Sequence, residues 1–264
     1  MTPIMPVECE YDSCPFPKWL KRTTILGCKG CTKPTYRFIQ GDSLEVMPTL
    51  GIPINLILTD PPYNIGWKYG PSFVDKMDDY EGWSRRWVDV AIDTLDDNGV
   101  IAIINYPEAN NDLYTYMMQK GLVFINQLIW NYNTNIGHSK RRYTRSYRTI
   151  LCFAKGKDYV FNPEKGEYKN PQDKRIQKQI AEGKAPNHYD VVYADLCKNV
   201  SRNKKKVGIN QLPDKLVTFL IRSFTNAGDT VLDPFVGNGT VARVASEIGR
   251  IGYGIDLHDY GVHE

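Results

Sequence analysis

Short apolar runs, each closed by polar residues, alternate along the chain with stretches in which apolar residues return at helical spacing. The first run is Tyr36–Ile39, stopped by Gly41-Asp42-Ser43 and followed by a short helix to about Leu50. The second is the strand Ile54–Thr59. From Tyr80 to Leu95, Trp83, Trp87, Val90, Ala91 and Leu95 recur at helical spacing, which reads as a core-facing helix rather than a cofactor box. Asp97-Asn98-Gly99 then turns the chain into the strand Val100–Ile104. A helix near Glu108–Lys120 and strands Leu122–Trp130 and Arg148–Phe153 follow. Residues 155–206 lose this periodicity and hold Asn162-Pro163, Asn170-Pro171 and Ala185-Pro186, so they read as an irregular insert with one short helix near Lys174–Glu182. Regular structure resumes with a helix Pro213–Thr225, a turn at Gly228-Asp229, a strand Thr230–Leu232, a helix Gly239–Ile248 and a strand Gly252–Ile255.

This alternation predicts an α/β, Rossmann-like fold: a mainly parallel sheet with helices on both faces and ligands at the carboxyl ends of the strands. Of 264 residues, 42% are hydrophobic and 24% charged, a globular composition. Aliphatic runs such as Ile101–Ile104 fall far short of the roughly 18 apolar residues that span a bilayer. No apolar signal stretch opens the chain, so the expectation is a cytoplasmic protein with no membrane partner.

The net charge of +3 conceals strong segregation. No acid occurs between Trp130 and Ala154, where Lys140, Arg141, Arg142, Arg145 and Arg148 are interleaved with Tyr143 and Tyr147. Residues 155–206 add 11 Lys and 2 Arg against 7 acids, ending in Lys204, Lys205 and Lys206. Either stretch alone reads as a solvated loop, but together they favour a polyanionic partner. Four of the six cysteines, Cys9, Cys14, Cys28 and Cys31, fall in residues 1–35 as C-x4-C and C-x2-C pairs. Two such pairs can close a tetrahedral structural zinc site; unpaired thiols and disulfides are the competing readings.

Two segments carry chemistry. Asp60-Pro61-Pro62-Tyr63 follows a strand directly, and chance would produce this string on the order of once in a thousand chains of this length. The prolines fix φ and remove backbone donors, leaving rigid carbonyls beside a carboxylate. Two fixed acceptors suit an exocyclic amino group, and Tyr63 offers a ring to stack on. Asp233-Pro234-Phe235-Val236-Gly237-Asn238-Gly239-Thr240 sits between a strand and a helix, where glycines allow close backbone approach. Asp256, at the end of the next strand, can accept from ribose hydroxyls, which points to a nucleoside-derived cofactor. An ordinary turn acid is the competing reading of Asp256.

DPPYNIG at 60–66 together with DPFVGNGT at 233–240 resembles the S-adenosylmethionine-dependent DNA amino-methyltransferases, in the circularly permuted β-group order. The likeness covers about residues 36–257. It implies a catalytic half at 36–154, a basic target-recognition insert at 155–206 and a cofactor-binding half at 207–264. It implies Asp60, Pro61, Pro62 and Tyr63 as the catalytic turn, and Asp42, Asp233, Phe235, Gly237, Gly239, Thr240 and Asp256 as cofactor residues. Gly208–Leu216 resembles the family's HPTQKPxxL segment; Gln211 and Pro213 match, but Gly208 and Leu212 replace its His and Lys. Asn210 and Gln211 are then the implied contacts to the cofactor carboxylate. The basic loop and insert are read as DNA contacts through Lys140, Arg141, Arg142, Arg145 and Lys204–Lys206.

Duplex DNA hides the exocyclic amine, so the target base must rotate out. The Asp-Pro-Pro-Tyr form leans within the family towards adenine N6, with cytosine N4 as the alternative. From another class, a non-catalytic zinc-bearing DNA-binding protein on the same scaffold would leave the acceptor turn without a task. The recognition sequence, a cognate nuclease and a homodimer are all left open.

Overall fold

Along Leu56–Leu58 in the apolar run Ile54–Thr59 the side chains alternate between two cores: Leu56 and Leu58 join one buried cluster and Ile57 the other. A strand with this pattern belongs in the middle of a sheet covered on both faces, and the computed structural model has that architecture. It describes residues 23–26, 36–69, 73–133, 140–197 and 211–259. The elements in chain order are β1 (Thr23–Leu26), β2 (Tyr36–Gln40), α1 (Ser43–Val46), β3 (Ile54–Thr59), β4 (Lys68–Tyr69), β5 (Phe73–Val74), α2 (Tyr80–Thr94), β6 (Leu95–Asn105) and α3 (Pro107–Gln119). They continue with β7 (Val123–Asn131), β8 (Tyr147–Ala154), α4 (Lys174–Ala181), β9 (Val191–Tyr193), α5 (Asp214–Phe224), β10 (Thr230–Asp233), α6 (Thr240–Glu247) and β11 (Ile251–Asp256).

The main sheet has the order β1-β2-β11-β10-β3-β6-β8-β7-β9. Strands β2, β11, β10, β3 and β6 run parallel, whereas β8 is antiparallel to both β6 and β7. Val217, Leu220 and Ile221 of α5 and Val241 and Val244 of α6 cover one face. Trp87, Val88 and Ala91 of α2 and Leu113 and Met117 of α3 cover the other. Each fully buried aliphatic side chain contributes about 1.5–3 kcal/mol.

From β3 the chain passes through α2 to β6 on one side, and from β10 it passes through α6 to β11 on the other. The neighbours β3 and β10 therefore mark the switch point, where a crevice opens beyond the strand ends. The two sequence motifs follow these two strands.

Two features depart from the sequence reading. Val191–Tyr193 of the insert pairs in parallel with Ile129–Asn131, and the Trp130 indole donates to the Ala194 carbonyl at 2.6 Å. The insert is thus stitched to the sheet at this point, through a strand too short to show a period. Thr23–Leu26, within the cysteine-rich segment, pairs antiparallel with β2. Cys9, Cys14, Cys28 and Cys31, read from the sequence as candidate zinc ligands, lie outside the described residues. Among the described residues, no three metal-ligating side chains gather, and no helix is long and apolar enough to cross a membrane.

Candidate active site

Beyond the ends of β3 and β10 lies a cavity of about 260 Å³, and both motifs line it: Asp60, Pro61, Pro62 and Tyr63 from one, Asp233, Phe235, Gly237, Asn238 and Thr240 from the other. Asp42 and Asp256 line it too. The Thr59 hydroxyl donates to Asp233 at 2.8 Å, and the Phe235 amide donates to the same Asp233 oxygen at 3.0 Å. Asp233 is buried, and desolvation, with Asp60 and Asp256 nearby, pushes its carboxyl up to about 7 despite those two hydrogen bonds.

At the end of β11, Asp256 is oriented by backbone donors, Gly237 N at 3.0 Å and His258 N at 3.1 Å, one on each oxygen. A carboxylate is an acceptor-only group with about four acceptor sites, the chemistry that suits a pair of hydroxyls. Gly239 begins α6 with φ at 82°, a conformation that suits glycine. Val236 folds back over β11, its amide donating to the Ile255 carbonyl at 2.9 Å. A Cβ on Gly254 would lie 2.5 Å from the Val236 side chain, so this close approach needs glycine. Ser43 donates its hydroxyl to the Pro234 carbonyl, fastening the start of α1 to the same loop. Phe235 packs against Trp83 and Trp87 with ring centroids 5.5 and 5.4 Å apart.

At the other end, Tyr63 donates its hydroxyl to Asp60, and the Tyr80 hydroxyl donates to the Pro62 carbonyl at 2.7 Å. Asn105 in turn donates to Tyr80 at 3.0 Å. Among the described residues no donor takes the Pro61 carbonyl, so it stays available to a ligand. Burial raises the Asp60 carboxyl above its ordinary range, opposed by Arg148 and by the Tyr63 hydroxyl. Burial, with Asp60 adjacent, holds Tyr63 well above the ordinary phenol range, so it remains a neutral donor. The loop after this turn is tied by Asp75, fully buried, whose carboxylate accepts from Tyr63 N at 3.3 Å and from Trp67 N. Asn64 takes a positive φ of 59° there, and its side chain accepts from Met77 N at 2.7 Å.

Comparison with known proteins decides the identity. Residues 54–263 match the family described as DNA methylase, the N6 and N4 amino-methyltransferases. The chain belongs to this family. It is 31% identical over 221 residues to the type II methyltransferase M1.MboII of Moraxella bovis, covering 78% of this chain and 85% of that one. It is 31% identical over 209 residues to M.HpaI of Haemophilus parainfluenzae, covering 78% of this chain and 64% of that one. The fold resembles the M1.HpyAVI complex with SAM, with a TM-score of 0.58, 20% identity and coverage of 84% and 94%. It also resembles the cytosine-N4-specific PvuII methyltransferase, with a TM-score of 0.65, 20% identity and coverage of 86% and 83%.

The cavity fits the cofactor of this family. Carboxylates at Asp42 and Asp256 suit the hydroxyls and cationic groups of S-adenosylmethionine, and Phe235, Val236 and Trp83 give an apolar wall between them and Asp60. Trp83, expected only in the core, is part of that wall. Leu212 lines the cavity, whereas Gln211 is exposed and does not. Asn210 and Lys204–Lys206 lie outside the described residues.

Of the basic loop, Lys140, Arg141 and Arg142 are exposed, as is Tyr143. Arg142 and Arg145 line a wider groove of about 700 Å³ that shares Tyr63, Ile65 and Tyr106 with the cavity. Arg145 pairs with Glu108 and lies 4.4 Å from the Tyr106 ring centre. Arg148 is different: it is 7% exposed and lines the cavity itself, so it is no part of a solvated basic surface.

Proposed function

We propose that this methyltransferase methylates the N6 amino group of adenine in double-stranded DNA, with the target base rotated out of the helix into the corner formed by Asp60 and Tyr63. The observation that supports methyl transfer is the single cavity shared by Tyr63 and Phe235, since two separate cavities would prevent any transfer between base and cofactor; the choice of adenine over cytosine rests on the Asp-Pro-Pro-Tyr form of the turn. When bound, S-adenosylmethionine supplies a methyl group on a sulfonium. The rest of the chemistry falls to the chain.

An exocyclic amine is a poor nucleophile because its lone pair is delocalised into the ring. Asp60 and the Pro61 carbonyl each accept one of its N–H hydrogens, which fixes the amine and restores density to nitrogen. Asp60, already accepting one of those hydrogens, receives the proton that the methylated nitrogen sheds. Extrusion costs a few kcal/mol, offset in part by stacking on the Tyr63 ring at about 1–3 kcal/mol. Arg142 and Arg145 at the adjoining groove, with Lys140 and Arg141, supply phosphate contacts.

The test is to incubate the protein with S-adenosylmethionine and DNA from a methylation-free host, then digest the DNA to nucleosides for mass spectrometry. N6-methyl-2′-deoxyadenosine is expected. N4-methyl-2′-deoxycytidine alone would reassign the target base, and the absence of any methylated nucleoside would refute the activity.

A further inference from the structure

Arg148 is a buried cation in a box of aromatic rings. Its guanidinium carbon lies 4.9 Å from the ring centre of Tyr63, 5.2 Å from Trp130, 5.6 Å from Tyr132 and 5.6 Å from Tyr106. Its Nε is buried and has no hydrogen-bond partner, so hydrogen bonding does not explain why a charge is kept there. The box holds it against the face of Tyr63, whose hydroxyl is donated to Asp60.

We propose that Arg148 is the positioning residue of the catalytic turn: a fixed positive charge, clamped by four rings, that keeps Asp60 an ionised acceptor and pins the Tyr63 ring beneath the extruded base. The proposal rests on the methyltransferase reading and deepens it. An ionised Asp60 is needed because a protonated carboxyl would offer the incoming amine a donor in place of one of its acceptors.

The charges around Asp60 oppose one another. Burial in the cavity disfavours its anion, and Asp233 at the end of β10 adds like-charge repulsion when ionised. Burial holds Tyr63 in the turn, Tyr80 from α2 and Tyr132 after β7 above the ordinary phenol range, so these three are neutral phenols near it. Asp75, which ties the adjacent loop, faces Tyr80 together with Asp60. Arg148 supplies the cationic charge that favours the Asp60 anion, and Asp60 in return helps to hold the guanidinium charged against its own burial.

The test compares wild type, Arg148→Met and Arg148→Lys by two measurements. The first is the titration of Asp60, followed by NMR of carboxyl-13C aspartate and assigned with Asp60→Asn. The second is single-turnover methyl transfer to unmethylated DNA between pH 5.5 and 9. Arg148→Met should move the Asp60 midpoint upward by about one pH unit or more, since an opposite charge at close range lowers a carboxyl by about 1–3 units. Its rate profile should shift by the same amount, while S-adenosylmethionine affinity holds.

Arg148→Lys, which restores the charge without the planar fork, should keep both midpoints near wild type; if the Met variant does not fold, Arg148→Gln, which also removes the charge but keeps a polar head, takes its place with the same expected shift. Unchanged midpoints in Arg148→Met would overturn the proposal even if activity drops, as would a Lys variant titrating like the Met variant. If wild type transfers no methyl to DNA, the proposed function fails, yet the Asp60 titration still decides the role of Arg148.

Discussion

Thr59 and Asp233, 174 residues apart in sequence, are joined by a buried hydrogen bond of 2.8 Å from hydroxyl to carboxylate. The bond ties the end of β3 to the end of β10, and so ties the Asp60–Tyr63 turn, proposed as catalytic, to the Asp233–Thr240 loop, proposed to hold the cofactor. Thr59→Val preserves shape but leaves Asp233 with the Phe235 amide as its remaining donor. Losing a bond to a buried group costs about 1–3 kcal/mol. Urea unfolding should show that loss, and Thr59→Ser should recover most of it. A Val variant as stable as wild type would mean that the bond contributes nothing to holding the two halves together.

Asp233 makes the protein sensitive to pH in a defined window. Its carboxyl stands at about 7 in the folded chain, against an ordinary 3.8. Between these values the folded state holds a proton that the unfolded chain has released. Stability from this group therefore falls as pH rises through the window, and the penalty is complete above about 7. A cationic ligand beside Asp233 favours the ionised form, so S-adenosylmethionine should bind more tightly at pH 7 than at pH 5.5, releasing a proton. Calorimetry in buffers of different ionisation enthalpy reads that proton directly. Asp233→Asn should remove this release and flatten both dependences; retention of the proton release in the variant would assign it elsewhere.

Much of this arrangement is legible in the sequence because it depends on strong local signals. The aliphatic runs before Asp60 and Asp233 mark parallel strands, and strand ends are where an α/β sheet binds ligands. The misses share a cause, which is that their partners are distant. Arg148 sits among Arg141, Arg142 and Arg145 and looks like another surface charge, but β8 begins at Tyr147 and carries Arg148 into the aromatic box. Trp83 keeps the helical spacing of a core residue while one side of it faces the cavity. Asp75 binds backbone amides of Tyr63 and Trp67, a pairing with no side-chain signature in the sequence. Val191–Tyr193 is simply too short to show alternation.

Under the proposed function, substitution of Asp60 should separate catalysis from cofactor binding. Asp60→Asn keeps the size of the side chain but replaces one acceptor oxygen with a donor, so the amine loses part of its hold. Removing one such preorganised contact costs about 100- to 1,000-fold in rate. Methyl transfer should fall by at least that much while S-adenosylmethionine affinity changes little, because Asp256 and Phe235 are untouched. Equal loss of both would contradict the division of labour along the cavity.

The exposed loop charges should govern DNA affinity. Replacing Arg141 and Arg142 together by Gln should weaken binding across all sequences and lower the slope of log affinity against log salt by about two, one per phosphate contact. Fluorescence anisotropy from 50 to 200 mM salt measures this. An unchanged slope would remove both residues from the DNA contact.

Asp75 tests whether the turn must be rigid. Its side chain is fully buried and holds the amides of Tyr63 and Trp67, so Asp75→Ala removes the acceptor of both bonds and opens space beneath the loop. Each buried bond lost costs about 1–3 kcal/mol, and the loop can avoid that cost by swinging out to water. The turn would then lose the geometry that fixes the Pro61 carbonyl beside Asp60. Single-turnover methyl transfer should drop at least about tenfold, because misplacement of a reacting group by about 1 Å costs up to 100-fold. The melting temperature should fall only slightly, since the loop lies outside the two cores. A variant that unfolds instead would show that the loop is part of the core's stability and not a separately held catalytic part.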